Sequence, residues 1–242
     1  MQKTVWKSKE EIKYLLRSAQ KVSILSCGIC ANLSNTGGKI GIRVLKELLK
    51  EWGKKVTMAK CVMGCCPEEI VRQAIRIYRK PISKSDALII LSCASGVKAA
   101  FLCKPEVPVV GLLDSVGSLL LTHQDNFISN SICISCGSCV INHTDGICPL
   151  PGCPEKKKYE PCEKFPTDDI KCPLEPSLEC VWKEIEKRGD LAVLKYLSQL
   201  HGTGGERPLS PEVKPTPGFL RKLTGWVAVR AQFLVGPTRW VE

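Results

Sequence analysis

The sequence predicts an α/β fold: a Rossmann-like parallel sheet with helices on both faces, followed by a Cys-rich irregular module and a terminal helix. Three observations predict this arrangement. Between residues 21 and 113, short runs rich in β-branched residues alternate with patterns of helical period. From about residue 127 to 179 the periodicity disappears and Cys, Pro and Lys accumulate. A helical pattern then returns from residue 180.

The first element follows Ser8, which forms a capping box with Glu11 and opens an amphipathic helix. Strands and helices then alternate in the order βαβαβαβ, which implies parallel strands joined by right-handed crossovers. Gly37 and Gly38 in NTGGKIG are expected to form the turn between a strand and the following helix, because the segment lacks both phosphate-loop patterns. The successive runs are KVSILS, KIGIRVLKELLKEW, KVTMAK, PEEIVRQAIRIYRK, ALIILS, VKAAFL and VPVVGLL.

The last helical pattern, CVWKEIEKRGDLAVLKYLSQL, is expected to bend or break at Gly189 and Asp190. The following GTGGERPLSPEVKPTPG has the Gly and Pro content of a linker. We therefore divide the chain into an α/β domain at residues 1–125, a Cys-rich domain with a C-terminal helix at 126–200, and a linker and tail at 201–242.

The composition bounds the class of protein. Apolar residues make up 44% and charged residues 24% of the 242 positions, which is typical of a globular chain. The formal net charge of +11 comes from Lys and Arg spread along the sequence without a block of five or six, so we predict no nucleic-acid partner. The start shows no export signal, and no apolar run approaches the ~20 residues that cross a bilayer. We therefore expect a cytoplasmic chain without a membrane span.

Fifteen cysteines in such a chain indicate metal binding, because a reducing cytosol does not maintain structural disulfides. Cys133, Cys136 and Cys139 form a CxxCxxC motif, and Cys148 is followed by Pro149. Three thiolates at intervals of three residues can hold three corners of a 4Fe-4S cluster while a more distant cysteine holds the fourth. A tetrahedral zinc site normally uses CxxC pairs instead.

Eight cysteines in the Cys-rich module match the ligand complement of two 4Fe-4S clusters, so we predict one or two clusters there. Spacing does not divide the ligands between the clusters, because ferredoxin-like loops commonly exchange their last ligand. The alternative is a zinc module with some spare buried thiols. The candidate ligands are Cys133, Cys136, Cys139, Cys148, Cys153, Cys162, Cys172 and Cys180.

A second candidate metal site lies in the α/β domain, where cysteines follow the predicted strands. Because the carboxyl ends of parallel strands meet at one edge of a sheet, these thiols should converge and could hold zinc or a further cluster. The alternative is that they are small buried hydrophobic residues, as we expect for Cys103 on a helical face. Asp114 could line the same cleft, or it could serve as a cap or turn residue. The candidate ligands are Cys27, Cys30, Cys61, Cys65, Cys66 and Cys93.

In order and spacing, these motifs resemble the methylene-tetrahydrofolate reductase C-terminal domain family, typified by the small iron-sulfur subunit of the reductase of acetogenic, anaerobic bacteria. The resemblance runs from about residue 21 to 197. It rests on CGIC with a following Gly-Gly, SCASGV, CISCGSC, GICPLPGC, PC at 161 to 162, and CPLEPSLECVW. The chain departs from the family in EPCE at 160 to 163, where Gly-Pro-Cys-Gly is usual.

The resemblance implies a non-catalytic accessory subunit of an oxidoreductase in one-carbon, folate metabolism. Such a subunit would take electrons from an electron-donor protein and pass them through iron-sulfur clusters to a flavin-containing methylenetetrahydrofolate reductase subunit. The hydride chemistry would lie on that partner, and the sequence shows no flavin or folate fingerprint of its own. The alternative function is a zinc-binding structural or scaffold subunit of the same or another redox complex.

Overall fold

The computed structural model describes residues 2–118, 133–165 and 170–208, together with the isolated residues 223 and 227. Its centre is a four-stranded parallel sheet, as the sequence predicts. The two inner strands are almost entirely buried, because each is covered on both faces and paired on both edges. The strands are β2 (Lys21–Cys27), β3 (Lys55–Val62), β4 (Ala87–Leu91) and β5 (Val109–Gly111), in the order β3-β2-β4-β5.

Helices connect these strands on both sides of the sheet. The chain leaves β2 through α2 (Cys30–Leu33) and α3 (Gly38–Glu51) to reach the outer strand β3. It returns past β2 to β4 through α4 (Glu68–Ile77) and α5 (Arg79–Ser83), and continues to β5 through α6 (Ala94–Leu102). The connection from β2 to β3 runs toward one edge of the sheet, and the later connections run toward the other edge. Because all these crossovers are right-handed, α3 lies on one face of the sheet and α4, α5 and α6 lie on the other. The predicted turn at Gly37 and Gly38 is present, with φ of +60° at Gly38, but α2 separates it from the preceding strand.

A second, two-stranded sheet was not predicted. It pairs β1 (Gln2–Trp6) with β6 (Leu113–Ser118) in antiparallel register. Helix α1 (Lys9–Leu15) follows β1 and begins with the predicted cap, in which Ser8 Oγ accepts a hydrogen bond from Glu11 N. The expectation that Asp114 lines a cleft or caps a turn was wrong. Asp114 is buried within β6, because a further strand begins at Leu113, where the sequence predicted that the last strand would end.

The Cys-rich region is mostly irregular and encloses a small core of its own around the buried Trp182. It contains the short helix α7 (Pro149–Gly152), followed by α8 (Val181–Arg188) and α9 (Leu191–Gly202). The predicted break between the last two helices occurs at Gly189 and Asp190. There the Asp190 carboxylate accepts a hydrogen bond from Val193 N and caps α9.

No helix in the described part of the chain has the length and apolar character needed to span a membrane. The sequence predictions for residues 209–222 and for most of the tail beyond them lie outside the described residues.

Candidate functional site

Five cysteines of the α/β domain lie close together at the carboxyl edge of the parallel sheet; we call Cys27, Cys30, Cys65, Cys66 and Cys93 the strand-end thiol group. Cys27 ends β2 and Cys93 follows β4. The chain leaves these two neighbouring strands in opposite directions, so the crevice between them is the topological switch point at which α/β sheets bind ligands. The sequence predicted this convergence from the strand ends alone.

Cys27 differs from the other members of the group because its thiolate is stabilised. A hydrogen bond from the Cys65 thiol lowers the pKa of Cys27 to about 5 against the opposing effect of burial, and the backbone N–H groups of Ile29, Cys65 and Ala31 contribute to the lowering. Cys27 therefore loses its proton more readily than an ordinary thiol although it is buried.

The other thiols of the group hold their protons more tightly. The hydrogen bond to Cys27 and burial raise the pKa of Cys65, and burial together with the Cys27 charge raises those of Cys30 and Cys93. The same two causes raise the pKa of Cys66 to about 12. A cation bound by this group would have to displace the protons of these four thiols.

Cys61, the sixth candidate in this domain, lies at the margin of the group. It belongs to the outer strand β3 and lines a groove on the side of α3. A Cβ atom added to Gly28 would lie 3.3 Å from Cys61 Sγ, so this sulfur packs against the backbone next to Cys27.

Four cysteines of the Cys-rich module surround a cavity of about 320 Å³; we call Cys133, Cys136, Cys139 and Cys148 the loop thiol group. The cavity walls also include Cys66 of the strand-end group. Burial raises the pKa of Cys148 and raises that of Cys139 to about 12, although Lys7 opposes the shift at Cys139. The three cysteines of the CxxCxxC motif and Cys148 therefore line one cavity, although the sequence spacing had left the fourth ligand open.

The loop that carries CxxCxxC is attached to β6 through its backbone. Asp114 Oδ1 accepts a hydrogen bond from Cys139 N at 2.8 Å, and Lys7 Nζ donates to Cys139 O at 2.9 Å. Gly137 N donates to Ser115 O at 2.9 Å, with φ of +77° at Gly137. This left-handed conformation favours glycine and turns the chain between Cys136 and Cys139.

A buried ion network lies behind this loop, and its centre is Lys7. The side chain of Lys7 is only 1% exposed, and its Nζ lies 2.7 Å from Glu11 Oε1 and 2.9 Å from Asp114 Oδ1. Burial alone would lower the pKa of Lys7, but the carboxylates of Asp114 and Glu11 raise it above the ordinary lysine range. The network continues from Glu11 Oε2 to His201 Nε2 at 3.0 Å and from His201 Nδ1 to Tyr159 OH at 2.8 Å.

Glu11 makes folding stability depend on pH at the acid end of the scale. Burial opposes ionisation, but Lys7 and His201 lower the pKa of Glu11 to about 2, against 4.5 in an unstructured chain. The stabilisation is therefore fully present above about pH 4.5 and is lost as the pH falls toward 2. The stabilisation that Glu11 contributes amounts to about 3 kcal/mol.

We expect the free energy of unfolding of Glu11→Gln to depend less steeply on pH between 4.5 and 2 than that of the wild type. Acid unfolding curves measure this dependence, and parallel curves for the two proteins would contradict the assignment.

The remaining four cysteines are all buried; we call Cys153, Cys162, Cys172 and Cys180 the core thiol group. Cys153, Cys172 and Cys180 belong to the small core around Trp182. Backbone hydrogen bonds from Cys172 N to Leu178 O and from Cys180 N to Ile170 O form a tight loop that carries two of these thiols. The structure thus places four candidate ligands around the loop cavity and three others, Cys153, Cys172 and Cys180, in the small core, while Cys162 is buried outside that core.

Within the ranges 2–118, 133–165 and 170–208, no three His, Cys, Asp or Glu side chains are arranged so that they could hold a metal ion.

The sequence predictions missed Lys7, His201 and Lys158. The Nζ of Lys158 lies 3.2 Å from Cys136 Sγ. No local motif marks these residues, and Glu11 was assigned only a capping role.

Comparison with known proteins identifies one family. Residues 117–203 match the family model described as "Methylene-tetrahydrofolate reductase C terminal". This match confirms the predicted resemblance for that segment, which contains both the loop and the core thiol groups. No curated protein and no solved structure matches the chain.

Proposed function

We propose a function on the basis of the match between residues 117–203 and the methylene-tetrahydrofolate reductase C-terminal family model. On this basis the chain is an accessory, electron-transferring subunit that acts beside a methylenetetrahydrofolate reductase in the cytoplasm. Its partners are the flavin-containing catalytic subunit, which carries out the hydride chemistry, and an electron-donor protein.

The observation that carries this proposal is the loop thiol group. Four thiols from a CxxCxxC motif and one later cysteine surround a single cavity, which is the donor set that a 4Fe-4S cluster uses. A cluster bound there would supply one-electron transfer. Cys133, Cys136, Cys139 and Cys148 would be its ligands.

The chain's own side chains are suited to holding ionised sulfur at this position. Lys158 Nζ donates to Cys136 Sγ and to Ser138 Oγ. The charge of Lys7 lowers the cost of ionising the otherwise buried Cys139. At Cys139 this charge favours the thiolate form that a metal ligand requires.

The core thiol group is the candidate for a second cluster. A second candidate function, a zinc-binding structural subunit, is favoured by the burial of all four cysteines and by the position of Cys153, Cys172 and Cys180 in the small core around Trp182. Structural zinc sites are closed and stabilise modules whose apolar cores are small. The strand-end thiol group, with Cys61 at its margin, is a further possible site for zinc or a cluster.

The experiment is anaerobic purification with iron, acid-labile sulfide and zinc measured on the same sample. We expect replacement of the four loop cysteines by Ser to remove one cluster, or roughly four iron and four sulfide per chain. The matched control is Cys103→Ser, which changes a cysteine outside all three thiol groups and should leave every content unchanged.

Replacement of the four core cysteines distinguishes the two candidate functions. Loss of a further roughly four iron and four sulfide supports two clusters, whereas loss of one zinc supports a structural zinc at the core group. Wild-type protein that carries zinc and no sulfide would overturn the electron-transfer proposal.

A further inference from the structure

A basic groove lies on the surface between α3 and the outer strand β3. Its volume is about 520 Å³, and it is open to solvent along its length. Lys39, Arg43 and Lys46 lie on one side of α3 at intervals of four and three residues, so they form a stripe along the helix. Lys60 adds a fourth cation from β3, and Glu47 is the one carboxylate among the described residues that line the groove.

The cations of the stripe are not neutralised within the described part of the chain. Lys39, Arg43 and Lys46 are exposed and form no ion pair with any described residue, while Lys60 lies over the ring of Tyr78. Other surface arginines do have partners, such as Arg72 with Glu68 and Arg79 with Glu106. Like charges spaced by about one helical turn repel each other, so an acidic surface docked here would relieve that repulsion.

The groove also leads toward the strand-end thiol group. Cys61 belongs to its wall, and the Cys61 sulfur packs against Gly28, the residue that follows Cys27. A protein seated in the groove would therefore contact Cys61 and lie close to the backbone beside Cys27.

The lining favours a protein partner over a nucleic acid. No aromatic residue is among the described residues of the groove wall, so it offers no platform for stacking bases. The stripe from Lys39 to Lys46 is only about 10 Å long at 1.5 Å per residue, which is short for a track along a phosphate backbone. A compact acidic protein surface needs neither stacking nor a long track of cations.

We propose that this groove docks a small acidic electron-carrier protein. The proposal rests on the electron-transfer function proposed above and specifies how one of its partners is recognised. Charge complementarity of this kind increases the association rate and makes binding depend on salt, as is typical of weak electron-transfer encounters.

The test is a binding titration with a purified acidic bacterial-type ferredoxin at low and at physiological salt. We expect Lys39→Glu/Arg43→Glu/Lys46→Glu to raise the Kd on the order of tenfold or more and to reduce its dependence on salt. The matched control is Lys80→Glu/Lys84→Glu/Lys195→Glu, which makes the same change in net charge at exposed lysines elsewhere and should bind within about twofold of the wild type. Circular dichroism verifies that both variants are folded.

Three outcomes would overturn the docking proposal. They are wild-type binding by the groove variant, equal weakening by the control variant, and groove-dependent binding of duplex DNA or phosphatidylserine vesicles without binding of ferredoxin. Because binding is measured without electron flow, its result is separate from the iron and sulfide analysis of the same sample. Protein without iron that still binds ferredoxin would contradict electron transfer and leave the docking site supported.

Discussion

Replacing Lys7 by Met is expected to lower the free energy of unfolding by about 3–5 kcal/mol. The side chain of Met fills a similar volume, so the loss comes from charge and not from packing. Without Lys7, the buried carboxylates of Glu11 and Asp114 lose their cation, and Cys139 O loses a hydrogen bond. Uncompensated charge in an apolar interior is costly.

Thermal unfolding, followed by circular dichroism under anaerobic reducing conditions, measures the effect. A loss of this size corresponds to a fall of roughly 10 °C in the unfolding midpoint for a chain of this length. The control is Lys9→Met, which removes a lysine paired with Glu206 at the surface and should cost at most about 1 kcal/mol. Equal stability of the two variants would contradict the role given to the ion network.

A triple variant separates charge from geometry in the same network. Adding Glu11→Gln and Asp114→Asn to Lys7→Met makes every member of the central cluster neutral. We expect this variant to recover part of the lost stability, because the penalty for unpaired buried charge is removed. A triple variant less stable than Lys7→Met would indicate that hydrogen-bond geometry, and not charge, dominates.

Replacing Trp182 by Ala is expected to destabilise the Cys-rich module by about 3–5 kcal/mol. Trp182 is only 1% exposed and is the largest side chain of the small core that contains Cys153, Cys172 and Cys180. Its removal leaves a cavity in a core too small to close it. The module should therefore open locally, and the parallel sheet, which has a separate core, should remain folded.

Thiol reactivity in the metal-free, reduced protein distinguishes local opening from global unfolding. We expect the four core cysteines to become reactive toward a thiol reagent in Trp182→Ala while Cys65 and Cys93 of the parallel-sheet domain stay protected. The control is Trp52→Ala at the end of α3, where the ring is only partly buried under Lys13 and does not contact the small core. Protection of the core cysteines in Trp182→Ala would contradict the prediction.

Most of the parallel sheet could be predicted because its signals are local. Each strand or helix pattern lies within a segment of fewer than fifteen residues. A continuous apolar run such as ALIIL indicates a strand that is buried on both faces, as β4 is. The pair of β1 and β6 has no such signal. Gln2–Trp6 is short and polar at its start, and its partner strand lies more than a hundred residues away. Pairing of this kind depends on tertiary contacts.

The candidate site was predicted in part for the same reason. Strand ends locate cysteines at a known edge of the sheet, and the CxxCxxC spacing keeps three thiols on one loop. Irregular backbone, however, carries no period from which the position of Cys148 or Cys153 could be derived. The contribution of Cys66 to the wall of the loop cavity, and the support of Cys139 by Lys7, join segments that are distant in sequence.

Residues 6–11 and residues 201–207 are joined by hydrogen bonds, and these contacts affect the order in which the protein can fold. Lys9 N donates to Glu206 O, Arg207 Nη1 donates to Trp6 O, and His201 meets Glu11 behind the CxxCxxC loop. During translation the parallel sheet can form before residue 201 leaves the ribosome. The hydrogen bonds between residues 6–11 and 201–207 can form only afterwards. We therefore expect the ion network behind the CxxCxxC loop to be completed only after residue 201 has been synthesised.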